Sequence, residues 1–310
     1  MDFISRINPE LRQGLMQLPP LQLPEDLQSI REQAIPPTSM AEDVRTKERI
    51  ISGADSHDML IKIYEPIHRD ERKLPALLWI HGGGYVLGHP NGEDMICEGF
   101  VQIADCVVVS PDYRLAPEHP FPAAIEDCYA ALQWMTDAAA ELNIDPARVA
   151  IGGASAGGGL TAALALMARD KGGPPICFQL PLYPMIDDRN VLSSSFEIMD
   201  NRVWNRTNNL AAWSMYLGEH EQSNISQYAA PSRARDLVGL PPAYSCVGQM
   251  DLFRDETIEY VARLAQAGVD VEFHLYPGGY HAFEHVVPEA EISQRVKKGY
   301  MEALKRAFER

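Results

Sequence analysis

Ser155 stands in Gly153-Ala154-Ser155-Ala156-Gly157, a G-x-S-x-G in which every neighbour of the serine is glycine or alanine. A serine hydroxyl is a weak nucleophile until a base removes its proton. The strand-to-helix turn that best exposes it is too sharp to admit large side chains beside it. VAIGG before the serine reads as a short buried strand and LTAALALMA after it as a small-residue helix, which is the context such a turn needs. A helix starting near Ala156 would bring its positive end to any negative charge developing there. Taken alone, the pentapeptide is equally well a glycine-rich packing turn with an idle serine.

His81-Gly82-Gly83-Gly84 follows the apolar run LPALLWI. Consecutive glycines let backbone N–H groups face an oxyanion without obstruction. A phosphate loop is the competing reading, but neither G-x-x-x-x-G-K-[ST] nor G-x-G-x-x-G occurs and no lysine lies nearby. Acyl transfer also needs an acid and a base in the chain order Ser, Asp/Glu, His. Asp251 closes YSCVGQMD, and His281 follows the next apolar run in HLYPGGYHAF. Both fall where loops leave strand ends, so the three side chains can converge. His281 is expected to take the proton of Ser155 and return it to the leaving group, with Asp251 holding the imidazole tautomer and stabilising the imidazolium. Singly, Asp251 could cap the helix LFRDETIEYVARL and His281 could be a solvated loop residue. Asp255, the rival acid, falls inside that helix. The conjunction of four elements in the right order favours a hydrolase.

His281-Ala-Phe-Glu284-His285 also matches H-x-x-E-H, an inverted zinc-protease pattern. It follows YPGGY and precedes Val286-Val287-Pro288, a poor setting for the long helix that would present two histidines on one face. No metal site is expected, and Glu284 and His285 are expected on a solvated rim.

The elements that must position these residues emerge from about residue 46. LIKIYEP alternates with period two, while LPALLWI and CVVVSP are continuous apolar runs of the kind buried parallel strands show. DPARVAIGG, ICFQLPLYP, PPAYSCVG and VEFHLYP are further strand candidates; AAIEDCYAALQWMTDAAAEL and ETIEYVARLAQAG have helical spacing, the second closed by Gly268. Strands alternating with helices imply a mostly parallel sheet. The alternation lapses over 186–228, and residues 1–45 are proline-punctuated. The expected organisation is an N-terminal cap arm (1–45), the first part of a catalytic α/β domain (46–185), a cap insertion (186–228) and the second part of the catalytic domain (229–310).

Composition narrows the partners. In 310 residues, 27 Lys+Arg against 43 Asp+Glu leave a net charge of −16, which disfavours nucleic acid and anionic lipid. Five scattered cysteines without a C-x-x-C pair and an N-terminus lacking an apolar leader point to a reduced, cytoplasmic setting. Val149 to Ala168 is uncharged and long enough to span a bilayer, yet its change of character at Ser155 argues for strand, turn and helix. No membrane anchor is expected.

HGGGY (81–85), PDYRLAPEHPFPAAIED (111–127), GGASAGG (152–158), LPPAYSCVGQMDLFRDE (240–256) and YPGGYHAF (276–283) strongly resemble the hormone-sensitive-lipase family of α/β-hydrolases, particularly its bacterial carboxylesterases. The resemblance runs from about residue 45 to the C-terminus. It implies an α/β-hydrolase fold: a mostly parallel central sheet with helices on both faces and a helical cap. It implies a triad of Ser155, Asp251 and His281, and an oxyanion hole from Gly83, Gly84 and the Ala156 amide, with Gly82 shaping the loop. It also implies cleavage of short- to medium-chain acyl esters without a cofactor. The family usually carries Asp or Thr before the nucleophile, where this chain has Ala154. Trp204, Trp213, Met215, Tyr216, Tyr85 and Tyr183 are candidate pocket linings, each also readable as ordinary core. Asp112, Arg114 and Glu118 are expected as one buried network bracing the HGGG loop. Related folds also hydrolyse amides, which keeps an N-deacetylase or arylformamidase as an alternative; receptor-like relatives that only bind ligand lack a working triad, and here His281 is present. The strand VEFHLY is a candidate for pairing with its counterpart in a homodimer.

Overall fold

A computed structural model describes residues 3–219 and 224–310; residues 1–2 and 220–223, the latter inside the 186–228 stretch, lie outside the described residues. Eight strands form one sheet: β1 (Val44–Ser52), β2 (Asp58–Pro66), β3 (Leu74–Ile80), β4 (Val107–Pro111), β5 (Ile144–Ala154), β6 (Phe178–Leu182), β7 (Ala243–Met250) and β8 (Val271–Tyr280), in the order β1-β2-β4-β3-β5-β6-β7-β8. β1 and β2 pair antiparallel, as do β2 and β4; every other neighbouring pair is parallel. β3, β4 and β6 are buried along their whole lengths, which is why β3 reads as an unbroken apolar run and β4 and β6 are apolar but for Ser110 and Gln179.

Helices cover both faces. Ala123–Asp137 packs against Ala156–Lys171, and Asp94–Ala104 packs against Glu291–Phe308. The Val149–Ala168 stretch divides into the end of β5, the turn at Ser155 and a buried helix, and among the described residues no helix is long and apolar enough to cross a membrane. β1 carries Arg45, Lys47, Glu48 and Arg49 and escapes sequence reading, because an edge strand tolerates and benefits from charge.

The N-terminal stretch lies against the 186–228 stretch and against residues next to the HGGG loop. The Asn208 side chain accepts from the Leu23 amide (2.9 Å) and donates to the Leu21 carbonyl (3.0 Å), while the Leu21 amide donates to the Asn201 carbonyl (2.8 Å). Arg31 donates to both carboxylate oxygens of Glu118 (2.8 and 2.7 Å), to the Val86 carbonyl (2.9 Å) and to the Ala116 carbonyl (2.5 Å). Asp112, Arg114 and Glu118 do not form the single network expected of them. Arg114 forks onto buried Asp127 (2.9 and 3.0 Å), Glu118 faces Arg31, and partly exposed Asp112 stands 3.7 Å from His89. Along an irregular segment, successive side chains face different neighbours, so sequence proximity did not imply a shared cluster.

A second tie to the arm is buried. Asp94 accepts from the Thr38 amide (2.8 Å) and from Tyr64 Oη (2.7 Å), and it pairs with Lys62, which β2 buries completely. Removing one partner strands the other's charge away from water, at a cost of about 3–5 kcal/mol. Asp94→Ala should therefore lower the unfolding free energy by about that much in urea titrations; a loss under about 1 kcal/mol would show the pair to be dispensable.

Candidate active site

The turn after β5 holds Ser155 at φ 59°, ψ −118°, a left-handed conformation that side chains other than glycine rarely adopt. It persists because its backbone is gripped from both sides: the Ser155 amide donates to the Leu182 carbonyl and the Ser155 carbonyl accepts from the Met185 amide, both at 3.0 Å. Gly153 and Gly157 have no room for a side chain. A Cβ on Gly157 would collide with the Ile80 and His81 carbonyl oxygens, and one on Gly153 would stand 2.5 Å from Ile80 O and Gly157 O. The serine turn is thus pressed against the end of β3, from which the HGGG loop departs.

Three side chains from three strand ends meet there. His281 Nε2 lies 3.0 Å from Ser155 Oγ, and His281 Nδ1 lies 2.8 Å from Asp251 Oδ2. Asp251 is almost wholly buried, and its Oδ1 accepts from the Phe253 amide at 2.9 Å, a local turn that aims Oδ2 at the imidazole. Phe253 and Tyr183 each meet the imidazole ring nearly perpendicularly, with centroids 5.1 and 5.2 Å away. Asp255 turns away and bonds Arg254 and the Ser194 amide.

Gly83 (φ 114°) and Gly84 (φ 63°) require glycine for their backbone angles. The Gly83 carbonyl accepts from the Val86 and Leu87 amides (3.1 and 2.8 Å), folding the loop back on itself. Among the described residues, neither the Gly83 nor the Gly84 amide donates to a backbone carbonyl, and the Ala156 amide opens a helix where no intrahelical acceptor exists. Gly82 lies against the Ala154 carbonyl, closing the loop onto the serine turn.

His81, just before the glycines, is fully buried and stacks on Tyr113 at 4.1 Å; its Nδ1 lies 2.8 Å from the Gly82 carbonyl, and Tyr113 Oη donates to the His81 carbonyl at 3.0 Å. Burial pushes its pKa down to about 4, opposed by the Gly82 bond.

The H-x-x-E-H run is resolved by geometry. Both ring nitrogens of His281 face Ser155 and Asp251, and Phe283–Val286 is a single helical turn. Glu284 is not on the rim as expected. That turn points it inward to full burial, where Tyr183 Oη donates to its Oε1 at 2.5 Å, while His285 points outward with 43% of its side chain exposed.

The aromatic candidates separate. Tyr85 and Tyr216 stack at 3.9 Å with Trp213 beside them, all buried, and Tyr85 Oη donates to the Met185 carbonyl at 2.6 Å. Trp204 and Met215 are only partly buried, and the Trp204 ring lies where a Cβ on Gly84 would be. Tyr183 sits against His281. Sequence reasoning did not single out Phe253, the Tyr183–Glu284 bond or Arg31; only the Asp-Leu-Phe turn had a local signal.

A serine, imidazole and carboxylate in series at the C-terminal ends of parallel strands define the α/β-hydrolase class of site. A family model described as an alpha/beta hydrolase fold matches residues 77–285. Esterase LipI of Mycobacterium tuberculosis is 38% identical over 276 residues, covering 87% of this chain and 86% of LipI. Carboxylesterase NlhH of the same species is 39% identical over 286 residues, covering 90% and 88%. A solved bacterial heroin esterase superposes with a TM-score of 0.92 at 38% identity over 99% of both chains. The chain belongs to the α/β-hydrolase family, among the carboxylic ester hydrolases of its hormone-sensitive-lipase-like branch.

The His81 environment makes a pH prediction. Unfolded, a histidine binds its proton near pH 6.5, so between that value and about 4 the unfolded chain holds more protons. The stability from keeping His81 neutral is complete above pH 6.5 and is lost as pH falls through 4, about 3 kcal/mol in all. Urea titrations across that window should show a shallower fall for His81→Phe than for wild type; parallel curves would remove His81 as the source.

Proposed function

We propose that this chain is a serine carboxylesterase that hydrolyses short- to medium-chain acyl esters through an acyl-enzyme intermediate. The observation that carries the reading is the unbroken series Ser155 Oγ–His281–Asp251 beside Gly83 and Gly84, whose amides donate to no backbone carbonyl among the described residues. Ser155 Oγ attacks the ester carbonyl as its proton passes to His281 Nε2. Asp251 holds Nδ1–H, fixes the tautomer and offsets the imidazolium charge. The amides of Gly83, Gly84 and Ala156 receive the carbonyl oxygen as it becomes an oxyanion, with Gly82 shaping the loop. Collapse expels the alcohol, which takes the proton from His281. Water then repeats the sequence on the acyl-enzyme, with His281 again as base, and releases the acid.

The residues described between 3 and 45 and between 186 and 228 act in this proposal as the cap over the site. The partly exposed Trp204 and Met215 line its pocket, while Tyr85, Trp213, Tyr216 and Tyr183 support that lining from behind. The catalytic domain runs from 46 to 185 and from 229 to 310. No cofactor is required by these steps. Five unpaired cysteines suit a reduced, cytoplasmic setting, and the free edge at β8 suits pairing of two copies.

Wild-type protein should hydrolyse p-nitrophenyl butyrate, and Ser155→Ala should abolish this while leaving circular dichroism unchanged. Asp251→Asn should lower kcat about 10⁴-fold, since the wrong tautomer is then held. Ser155-independent turnover would overturn the triad assignment. Across p-nitrophenyl esters from acetate to decanoate, kcat/KM should peak at or below octanoate; a maximum at decanoate would overturn the chain-length reading.

A further inference from the structure

One buried carboxyl beside the site has no part in the steps above. Glu284 follows His281 by one helical turn and is fully buried; its Oε1 accepts the Tyr183 hydroxyl at 2.5 Å, and its Oε2 accepts no hydrogen bond among the described residues. His285 Nε2 stands 3.8 Å from the same Oε1 and 3.4 Å from Tyr183 Oη. Leaving a carboxyl inside a protein with one oxygen unpaired is costly, so the bond it does make calls for a reason.

The backbone around Tyr183 supplies one. Tyr183 lies between Leu182 and Met185, the two residues whose main chain grips the amide and carbonyl of Ser155. Its own φ of 33° is left-handed, and its amide donates to the Cys246 carbonyl at 2.8 Å. A tyrosine in that conformation stays there only if its surroundings hold it. The ring meets the His281 imidazole at 5.2 Å, nearly perpendicular. The Tyr183–Glu284 hydrogen bond therefore joins the turn that fixes the nucleophile to the turn that carries the base, and it runs alongside the 3.0 Å separation of Ser155 Oγ and His281 Nε2.

We propose that Glu284 is a positioning residue: through Tyr183 it sets the distance and angle between His281 and Ser155. The proposal rests on the esterase reading of that site. Burial and the neighbouring carboxyl push the Tyr183 hydroxyl well above its usual pKa, so it remains a donor at working pH. A misplacement of about 1 Å between reacting groups can cost about 10²-fold in rate. Because the brace touches no substrate atom, its loss should appear in kcat and not in KM.

Glu284→Ala and Tyr183→Phe should each lower kcat for p-nitrophenyl butyrate by about 10- to 100-fold with KM within about threefold. The double variant should be no slower than the worse single one, since both remove the same bond. Glu284→Gln, whose amide oxygen can still accept the phenol, should restore kcat to within about threefold of wild type. If Glu284→Ala does not fold, Tyr183→Phe against wild type carries the test. Wild-type kcat in the folded single variants, a loss confined to KM, or additive losses in the double variant would each overturn the brace. An inactive wild type would instead overturn the esterase reading itself.

Discussion

The close approach of two backbones is the constraint on which the rest of the molecule depends. The Ala156–Lys171 helix begins so near the end of β3 that Gly153 and Gly157 leave no space for even a methyl group against Ile80 O. That contact places the serine turn and the HGGG loop side by side with no intervening side chain. It also requires Ser155 to hold a left-handed conformation, a strain of about 1–3 kcal/mol that must be offset elsewhere. The offset is visible in the two main-chain hydrogen bonds from the Leu182–Met185 segment and in a helix whose first thirteen residues are all buried. A looser contact would relieve the strain and separate the nucleophile from the amides.

Electrostatics around this contact follow from burial. Asp251 loses almost all access to water and is offset by the Phe253 amide and the imidazole, so its charge is directed at Nδ1. His81, equally close in sequence to the glycines, is kept neutral and uses its ring as packing against Tyr113. His281 has both ring nitrogens within hydrogen-bond distance of Ser155 and Asp251; His81 has an Nε2 with no partner among the described residues and its charge disfavoured by burial. Environment, not residue type, separates the two histidines.

Legibility in the sequence tracked the physical basis of each feature. The strands buried on both faces were readable because burial forces apolar runs, and the convergence of Ser155, Asp251 and His281 was readable because all three stand just past the ends of such strands. β1 was not, because an edge needs no apolar run. Glu284 was misplaced because one helical turn within an apparent loop reverses the side chain's direction, and glutamate is ordinarily a surface residue. Asp112, Arg114 and Glu118 look like a cluster in one dimension, while their partners His89, Asp127 and Arg31 come from three different parts of the fold. Pairings of that kind are tertiary and leave no local pattern.

The N-terminal stretch and the 186–228 stretch are bonded beside the HGGG loop and Asp251. Arg31 reaches the Val86 carbonyl, within the turn that follows the glycines. Ser194 donates its hydroxyl to the Leu252 carbonyl at 2.7 Å and its amide to Asp255 at 2.8 Å, adjoining Asp251. Ile186, where the chain leaves the sheet, donates to buried Glu256 at 2.8 Å. The Ser155 turn, by contrast, is held by Leu182 at the end of β6, by Met185 and by its own helix. Displacement of those stretches would therefore strain the Asp251 turn and the HGGG loop directly. The placement of those stretches is consequently coupled to the HGGG loop and the Asp251 turn, while Ser155 is fixed by the close approach of Gly153 and Gly157 to the end of β3.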